Sequence, residues 1–131
     1  MNERLGKSYK LCSQKLISQI FEKKKSVRCY PFVVHYAIVE LPEKTPFQVT
    51  LSAPKRTFKK AHDRNRIKRL MRETIRKNKL ILEPYLVEHT IQVALFMIYT
   101  AAEELDHNTL QKKTKQLFKQ LIDEISKSQP S

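Results

Sequence analysis

One stretch constrains this chain more than any other: Pro54 to Lys77, PKRTFKKAHDRNRIKRLMRETIRK, which holds eleven lysines and arginines and only two carboxylates, Asp63 and Glu73. Like charges three and four residues apart repel one another unless a counter-charge is present, so this density points to a polyanionic partner. Placed on an α-helix at about 100° per residue, residues 61–77 gather Asn65, Lys68, Arg69, Arg72 and Arg76 on one arc. Ile67, Leu70, Met71, Thr74 and Ile75 fall on the opposite arc, a helical core stripe. Arg64 and Arg66 lie at the borders, where long side chains lay their methylenes along the core and send charge outward. Asn65, inside the charged arc, offers donors and an acceptor without charge, which suits a base or a sugar. Glu73 is placed to orient Arg66 and Arg69. The plain alternative is a solvated basic helix face with no partner.

The rest of the composition agrees with an acidic partner. Twenty-six Lys and Arg oppose thirteen Asp and Glu, giving a net charge of +13 and a pI near 9.9. With 131 residues and 40% hydrophobic content, the chain can bury one moderate core. A single domain is expected over 1–131, ordered over about 9–126 between a mobile basic arm and a frayed tail. No apolar run approaches the roughly 20 residues that span a bilayer, and the N-terminus lacks the apolar segment of a secretion signal. Nucleic acid is therefore preferred to membrane, and a cytoplasmic location is expected.

Other chemistries find little support. Cys12 and Cys29 read as packed thiols in a reducing compartment, and His35, His62, His89 and His107 show no metal-ligand spacing. Gly6 is the only glycine, so glycine-rich phosphate loops are absent. The acids are dispersed, and the cluster Glu103, Glu104 and Asp106 falls in an expected loop without partners. Convergent carboxylates or a His–Lys pair for acid–base work are missing, so the residues point to binding rather than to catalysis by the chain.

Taken in order, Ser13 is a good N-cap, and Leu16, Ile17, Ile20 and Phe21 recur at helical spacing up to Lys23, Lys24 and Lys25. Phe21 can be core or can stack on a base. Residues 32–41 read as a strand, Pro42 to Pro46 as a loop, and Phe47 to Ala53 as a strand with period-2 alternation. These two strands are expected to form an antiparallel pair. Loop 54–60 delivers Lys55, Arg56, Lys59 and Lys60 ahead of the basic helix, which should run out around Leu80 to Glu83 because Pro84 forbids clean continuation. Thr90 to Thr100 reads as a buried central strand. Asn108, with Gln111 three residues on, should cap a final amphipathic helix carrying Leu110, Thr114, Leu117, Phe118, Leu121, Ile122 and Ile125. The predicted order is α-β-β-(β)-α-β-α, a two-layer α/β sandwich.

The stretch Phe58 to Glu73, FKKAHDRNRIKRLMRE, preceded by Leu51-Ser52 and Lys55-Arg56 and set between two strands, resembles the protein subunit of bacterial ribonuclease P. The likeness extends to the first helix, to Ser26-Val27 and Pro31-Phe32, and to the last strand and helix, so it covers nearly the whole chain. It implies a domain similar to a ribosomal-protein domain, with a left-handed crossover around the basic helix where the general rule expects a right-handed one. It also implies that an RNA subunit carries the active site, where bound Mg²⁺ drives removal of the 5′ leader of precursor tRNA, and that this chain supplies no catalytic residue. By position, contacts to the RNA subunit fall to Lys55, Arg56, Lys59, Lys60, Arg64, Asn65, Arg66, Lys68, Arg69 and Arg72. Leader contacts fall to Ile17, Phe21, Phe32 and His35, with Asn65, Lys68 and Arg72. Ile17 and His35 stand where the family commonly has aromatics, and Ile17 cannot stack as a ring does. Arg56 replaces a common lysine and can contact phosphate in bidentate fashion. The implied partners are the catalytic RNA and precursor tRNA, with neither DNA nor membrane. The reading from another class is a structural ribosomal or general RNA-binding protein using the same helix. A DNA-binding role is disfavoured because no helix-turn-helix spacing precedes the basic helix.

Overall fold

The computed structural model describes residues 9–128. The expected N-terminal arm, residues 1–8, and the last three residues of the tail lie outside the described residues. The elements are α1 (Gln14–Lys23), β1 (Ser26–Cys29), β2 (Phe32–Ile38), β3 (Phe47–Ser52), α2 (Ala61–Glu88), β4 (Val93–Tyr99) and α3 (His107–Ser128). An additional strand is present, but as β1, ahead of the two expected strands rather than after them where the predicted order left room for one. It forms a hairpin with β2 through the two residues Tyr30 and Pro31, which are joined by a cis peptide bond. Thr100 ties that turn to the end of β4, since its N–H and Oγ1 donate to the Pro31 carbonyl at 2.7 and 2.9 Å.

The sheet order is β1-β2-β4-β3. The two strands expected to pair, β2 and β3, are separated by β4, which runs antiparallel to β2 and parallel to β3. The cause lies in β4 itself. VALFMIY is apolar on both faces, so it takes an inner position, where both edges are paired, one face is buried and the other is covered in part. Two parallel neighbours need a crossover connection, and α2 supplies it.

One face of the sheet carries the main core. Phe32, Val34 and Tyr36 of β2, Phe47 and Val49 of β3, and Val93, Leu95, Met97 and Tyr99 of β4 meet α2 and α3 there. Both helices present the expected stripes: Ile67, Met71 and Ile75 from α2, and Leu110, Leu117, Phe118, Leu121 and Ile125 from α3. On the opposite face α1 covers only part of the sheet, burying Leu11, Ile20, Ala37, Leu41 and Ala94 in a smaller cluster. Among the described residues no helix is long and apolar enough to cross a membrane.

Three boundaries depart from expectation. First, α2 continues through Pro84 to Glu88. An interior proline costs about 3 kcal/mol, but Leu82, inside the expected end, and Leu86, beyond it, are both fully buried, each contributing roughly 1.5–3 kcal/mol. The carbonyl that loses its partner belongs to Leu80, a residue on the exposed side of the helix. Second, the α3 cap is Asp106 rather than Asn108: Thr109 N–H donates to Asp106 Oδ2 at 3.2 Å and Thr109 Oγ1 to Oδ1 at 2.5 Å. Those bonds hold the Asp106 carboxyl below the usual range. Third, α3 extends to Ser128, so residues 126–128 are helical rather than frayed. At the other end, Ser13 caps α1 as expected, its Oγ accepting from Leu16 N–H at 3.2 Å.

Candidate nucleic-acid interface

The parallel pairing of β3 with β4 makes α2 start at the Ser52–Tyr99 end of the sheet and run back toward the Phe47–Val93 end. The loop before it is braced by Arg64, whose Nη1 donates to the carbonyls of Phe58 and Lys59, both at 2.9 Å. Phe58 anchors the same loop inward, with its ring 5.9 Å from that of Tyr99. Held this way, Lys55, Arg56, Lys59 and Lys60 remain exposed. On the helix, Asn65, Arg69 and Arg72 are exposed and Lys68 is half-buried, opposite the buried Ile67, Met71, Thr74 and Ile75.

The acids near this arc are paired. Arg76 Nε donates to Glu73 Oε2 at 3.1 Å and its Nη2 to Oε1, which holds the Glu73 carboxyl below the usual range. Glu73 therefore orients Arg76, not Arg66 and Arg69 as expected. One helical step of three residues brings Arg76 alongside, whereas Arg66 turns to Glu104, with Nε 3.0 Å from Oε1. Asp63 meets His62 at 3.1 Å. Lys68, Arg69 and Arg72 have no such partner among the described residues. Further along the arc, Lys79 lies over the Tyr9 ring at 4.7 Å, and Tyr9 donates to Glu83 Oε2 at 3.0 Å. Burial and that carboxylate push the Tyr9 phenol up to about 12. Because Lys10 bridges to Val49 of β3, this contact turns the arc toward the β3 edge.

The second surface is the sheet face that α1 leaves partly open. Register aligns His35, Phe96 and Thr50 in one cross-strand row, and Val33, Ile98 and Ser52 in the next. Phe21, 44% exposed, leans over the first row, with its ring centroid 5.0 Å from His35 and 5.1 Å from Phe96. Ile17 is half-buried in the same cluster. Burial, and then the nearby Arg28 cation, lower the His35 pKa, which keeps the imidazole neutral near pH 7. The second row is half-buried and belongs to neither core cluster. It ends at Ser52, two residues before the cationic loop. An open strip of rings, aliphatic groups and hydroxyls thus runs from Phe21 to Ser52, where the chain leads on to Lys55 and Arg56.

A basic helix crossing between two parallel strands, beside a ring-lined cleft, agrees with a match of residues 5–122 to the Ribonuclease P family model. The chain belongs to the ribonuclease P protein family. The ribonuclease P protein component of Porphyromonas gingivalis is 31% identical over 108 residues, covering 82% of this chain and 79% of that protein. The component of Lactobacillus helveticus is 40% identical over 80 residues, 61% and 64% of the two chains. The fold is similar to that of the Staphylococcus aureus RNase P protein, with a TM-score of 0.67 at 22% identity over 88% of this chain and 96% of that one. The Thermotoga maritima RNase P protein gives a TM-score of 0.67 at 22% identity, over 85% and 96%.

Against the positions carried over from the ribonuclease P family, one requires correction. Phe32, expected in the leader cleft, is fully buried in the main core on the opposite face of the sheet, 6.0 Å from the Tyr99 ring. Phe32 and His35 are three residues apart on one strand, and side chains an odd number apart point to opposite faces. Phe21, Ile17 and His35 do gather on the open face. Phe96, Ile98, Val33, Thr50, Ser52 and Arg28 join them there and were not singled out from the sequence. Their signal was the alternation of each strand, which β4 concealed by being apolar at every position. Among the described residues no three His, Cys, Asp or Glu side chains are placed to hold a metal ion. The acids near the basic face are spent on Arg66, Arg76 and His62, so this donor set does not fit Mg²⁺, a hard cation that favours carboxylate oxygens.

Proposed function

We propose that the chain is the RNA-binding protein component of ribonuclease P, that its α2 arc and loop 54–60 bind the catalytic RNA, and that its open sheet face holds the 5′ leader of precursor tRNA. The observation that carries this reading is the open row of the Phe21–His35–Phe96 rings, on a sheet face whose strand β3 leads at Ser52 into the exposed cations of the loop. Single-stranded RNA is held by aromatic platforms for its bases together with cations that track its backbone, and both occur here, joined through β3. The arc supplies the complementary function. Arg69, Arg72 and Lys68 are free to meet phosphates, while Asn65 among them can meet a ribose or a base edge.

On this reading the chain performs no bond cleavage itself. Hydrolysis of the leader belongs to the RNA subunit and its Mg²⁺, and the protein lowers the electrostatic cost of bringing two polyanions together. The test is cleavage of a 5′-extended precursor tRNA by ribonuclease P RNA at low Mg²⁺, with the protein, without it, and with protein alone. Rescue by the protein, together with no cleavage by protein alone, is expected. Cleavage by the protein alone would reveal an active site in the chain. No rescue, with RNA binding retained, would make it a structural RNA-binding protein instead.

A further inference from the structure

Away from both surfaces, α2 and α3 meet along a groove lined by Asn78, Ile81, Asn108, Gln111, Lys112 and Lys115. Its floor is fixed by hydrogen bonds between the helices. Asn78 Nδ2 donates to the carbonyls of Thr74 at 2.8 Å and Gln111 at 3.3 Å, and Thr114 Oγ1 donates to Thr74 Oγ1 at 3.0 Å. Lys112, Lys115 and Lys119 share one exposed helical face, opposite the buried Leu110, Leu117 and Leu121. At 1.5 Å rise per residue they form a row about 10.5 Å long.

Among the described residues none of these three lysines is joined to a carboxylate. The acids of α3 are spent at its far end, where Lys127 meets Asp123 at 3.4 Å and Glu124 at 3.3 Å. The first half of α3 is therefore a row of cations bordering a groove rich in amides. Lysine ammoniums suit phosphates, and amides suit the ribose hydroxyls that distinguish RNA. Ile81 is the one apolar residue in the lining, and the other five side chains end in amides or ammoniums.

The groove also lies on a different side of α2 from the basic arc. Asn78 and Ile81 extend the side of Met71 and Thr74 that meets α3, whereas Arg69 and Arg72 face away from that seam. A backbone segment lying along the arc does not also fill the groove.

We propose that the α2–α3 groove and the Lys112–Lys115–Lys119 row form a second ribose-phosphate site, holding a segment of the catalytic RNA separate from the one on the arc. This rests on the reading that the chain binds that RNA. The test compares K112Q/K115Q with K44Q/K127Q, a control of equal charge loss elsewhere, and with R69A/R72A on the arc. Each variant is bound to ribonuclease P RNA across a salt series and footprinted with hydroxyl radicals. Relative to the control, K112Q/K115Q should reduce the salt slope of binding by about 1.4–1.8, from about 0.7–0.9 per lost phosphate contact. It should also expose a backbone segment that R69A/R72A leaves protected. A slope and footprint matching the control would overturn the second site while leaving the arc reading intact, and would leave an acidic protein segment as the groove's better occupant. A wild-type chain that protects no part of the RNA would overturn both readings.

Discussion

At the residue scale, the two phenylalanines of the N-terminal half have opposite assignments that stability and binding measurements separate. Phe32 is fully buried, so Phe32→Ala should cost about 3–5 kcal/mol of folding stability. Phe21 is 44% exposed over His35 and Phe96, so Phe21→Ala should lose less stability but about 1–3 kcal/mol of affinity for leader-bearing precursor. Urea melts with binding to precursors bearing and lacking a leader read both quantities; loss of stability without loss of leader discrimination would make Phe21 a packing residue. His35 adds a pH dependence whose sign is fixed by its lowered pKa. The unfolded imidazole titrates near 6.5 and the folded one below that, so below 6.5 the unfolded chain binds more protons. Stability should therefore be complete above that value, fall as pH drops through it, and level off below the folded pKa. His35→Phe should remove this component from a series of unfolding curves between about pH 5 and 8. A leader phosphate beside the ring acts in the opposite direction, because an anion favours imidazolium. The preference for leader-bearing over leaderless precursor should then increase on acidification in the wild-type chain and not in His35→Phe. An equal pH response in both would place the phosphate elsewhere.

At the scale of the elements, α2 is the component most exposed to its own sequence. Pro84 removes one helical hydrogen bond from a segment that Leu82 and Leu86 hold in place, at a cost of about 3 kcal/mol relative to alanine. Alanine gives back about 0.4–1 kcal/mol through a freer unfolded chain, so Pro84→Ala should stabilise the protein by about 2 kcal/mol. An unchanged urea midpoint would mean that water satisfies the Leu80 carbonyl almost as well as an N–H does. The same helix shows which features were legible in the sequence. Its basic arc and its core stripe could be placed residue by residue, because both depend on a local period of 3.6. Its end could not, because packing of Leu82 and Leu86 against the sheet overrides a local penalty. The strands divide in the same way. The alternation of β3 was plain, and β4 was correctly expected at the centre, but pairing is non-local, and nothing in the two hydrophobic runs before α2 announced that β4 would separate them. The cleft was half-visible for a related reason. Ile17, Phe21 and His35 were reached through the family likeness, whereas Phe96 and Ile98 were hidden in a strand with no polar face to set its phase. The misplaced Phe32 was avoidable, since strand parity alone puts it opposite His35.

At the scale of the whole molecule, a net charge of +13 must be held on one small domain, and among the described residues the ion pairs are few. Those present, such as Arg66–Glu104 and Lys127 with Asp123 and Glu124, are exposed, and such pairs contribute about 0–1 kcal/mol each. Among the described residues the cations of loop 54–60 and Lys68, Arg69 and Arg72 of the arc have no carboxylate partner, and self-repulsion of such a cluster opposes the compact state. Added salt should therefore stabilise the free protein, because screening weakens repulsion more than it weakens a handful of exposed pairs; the Debye length is about 10 Å at 0.1 M. The urea midpoint should rise between about 0.02 and 0.5 M salt, and sulfate should raise it more than chloride at equal ionic strength if anions occupy the folded surface specifically. If the exposed ion pairs governed stability instead, the midpoint would fall with salt. Arg69→Ala combined with Arg72→Ala should flatten the response by removing two of the repelling charges. That variant links stability to function: the same two changes that make the free chain less dependent on salt should weaken its hold on ribonuclease P RNA. Side chains retained for folding would give the reverse pattern, with stability lost and RNA affinity kept.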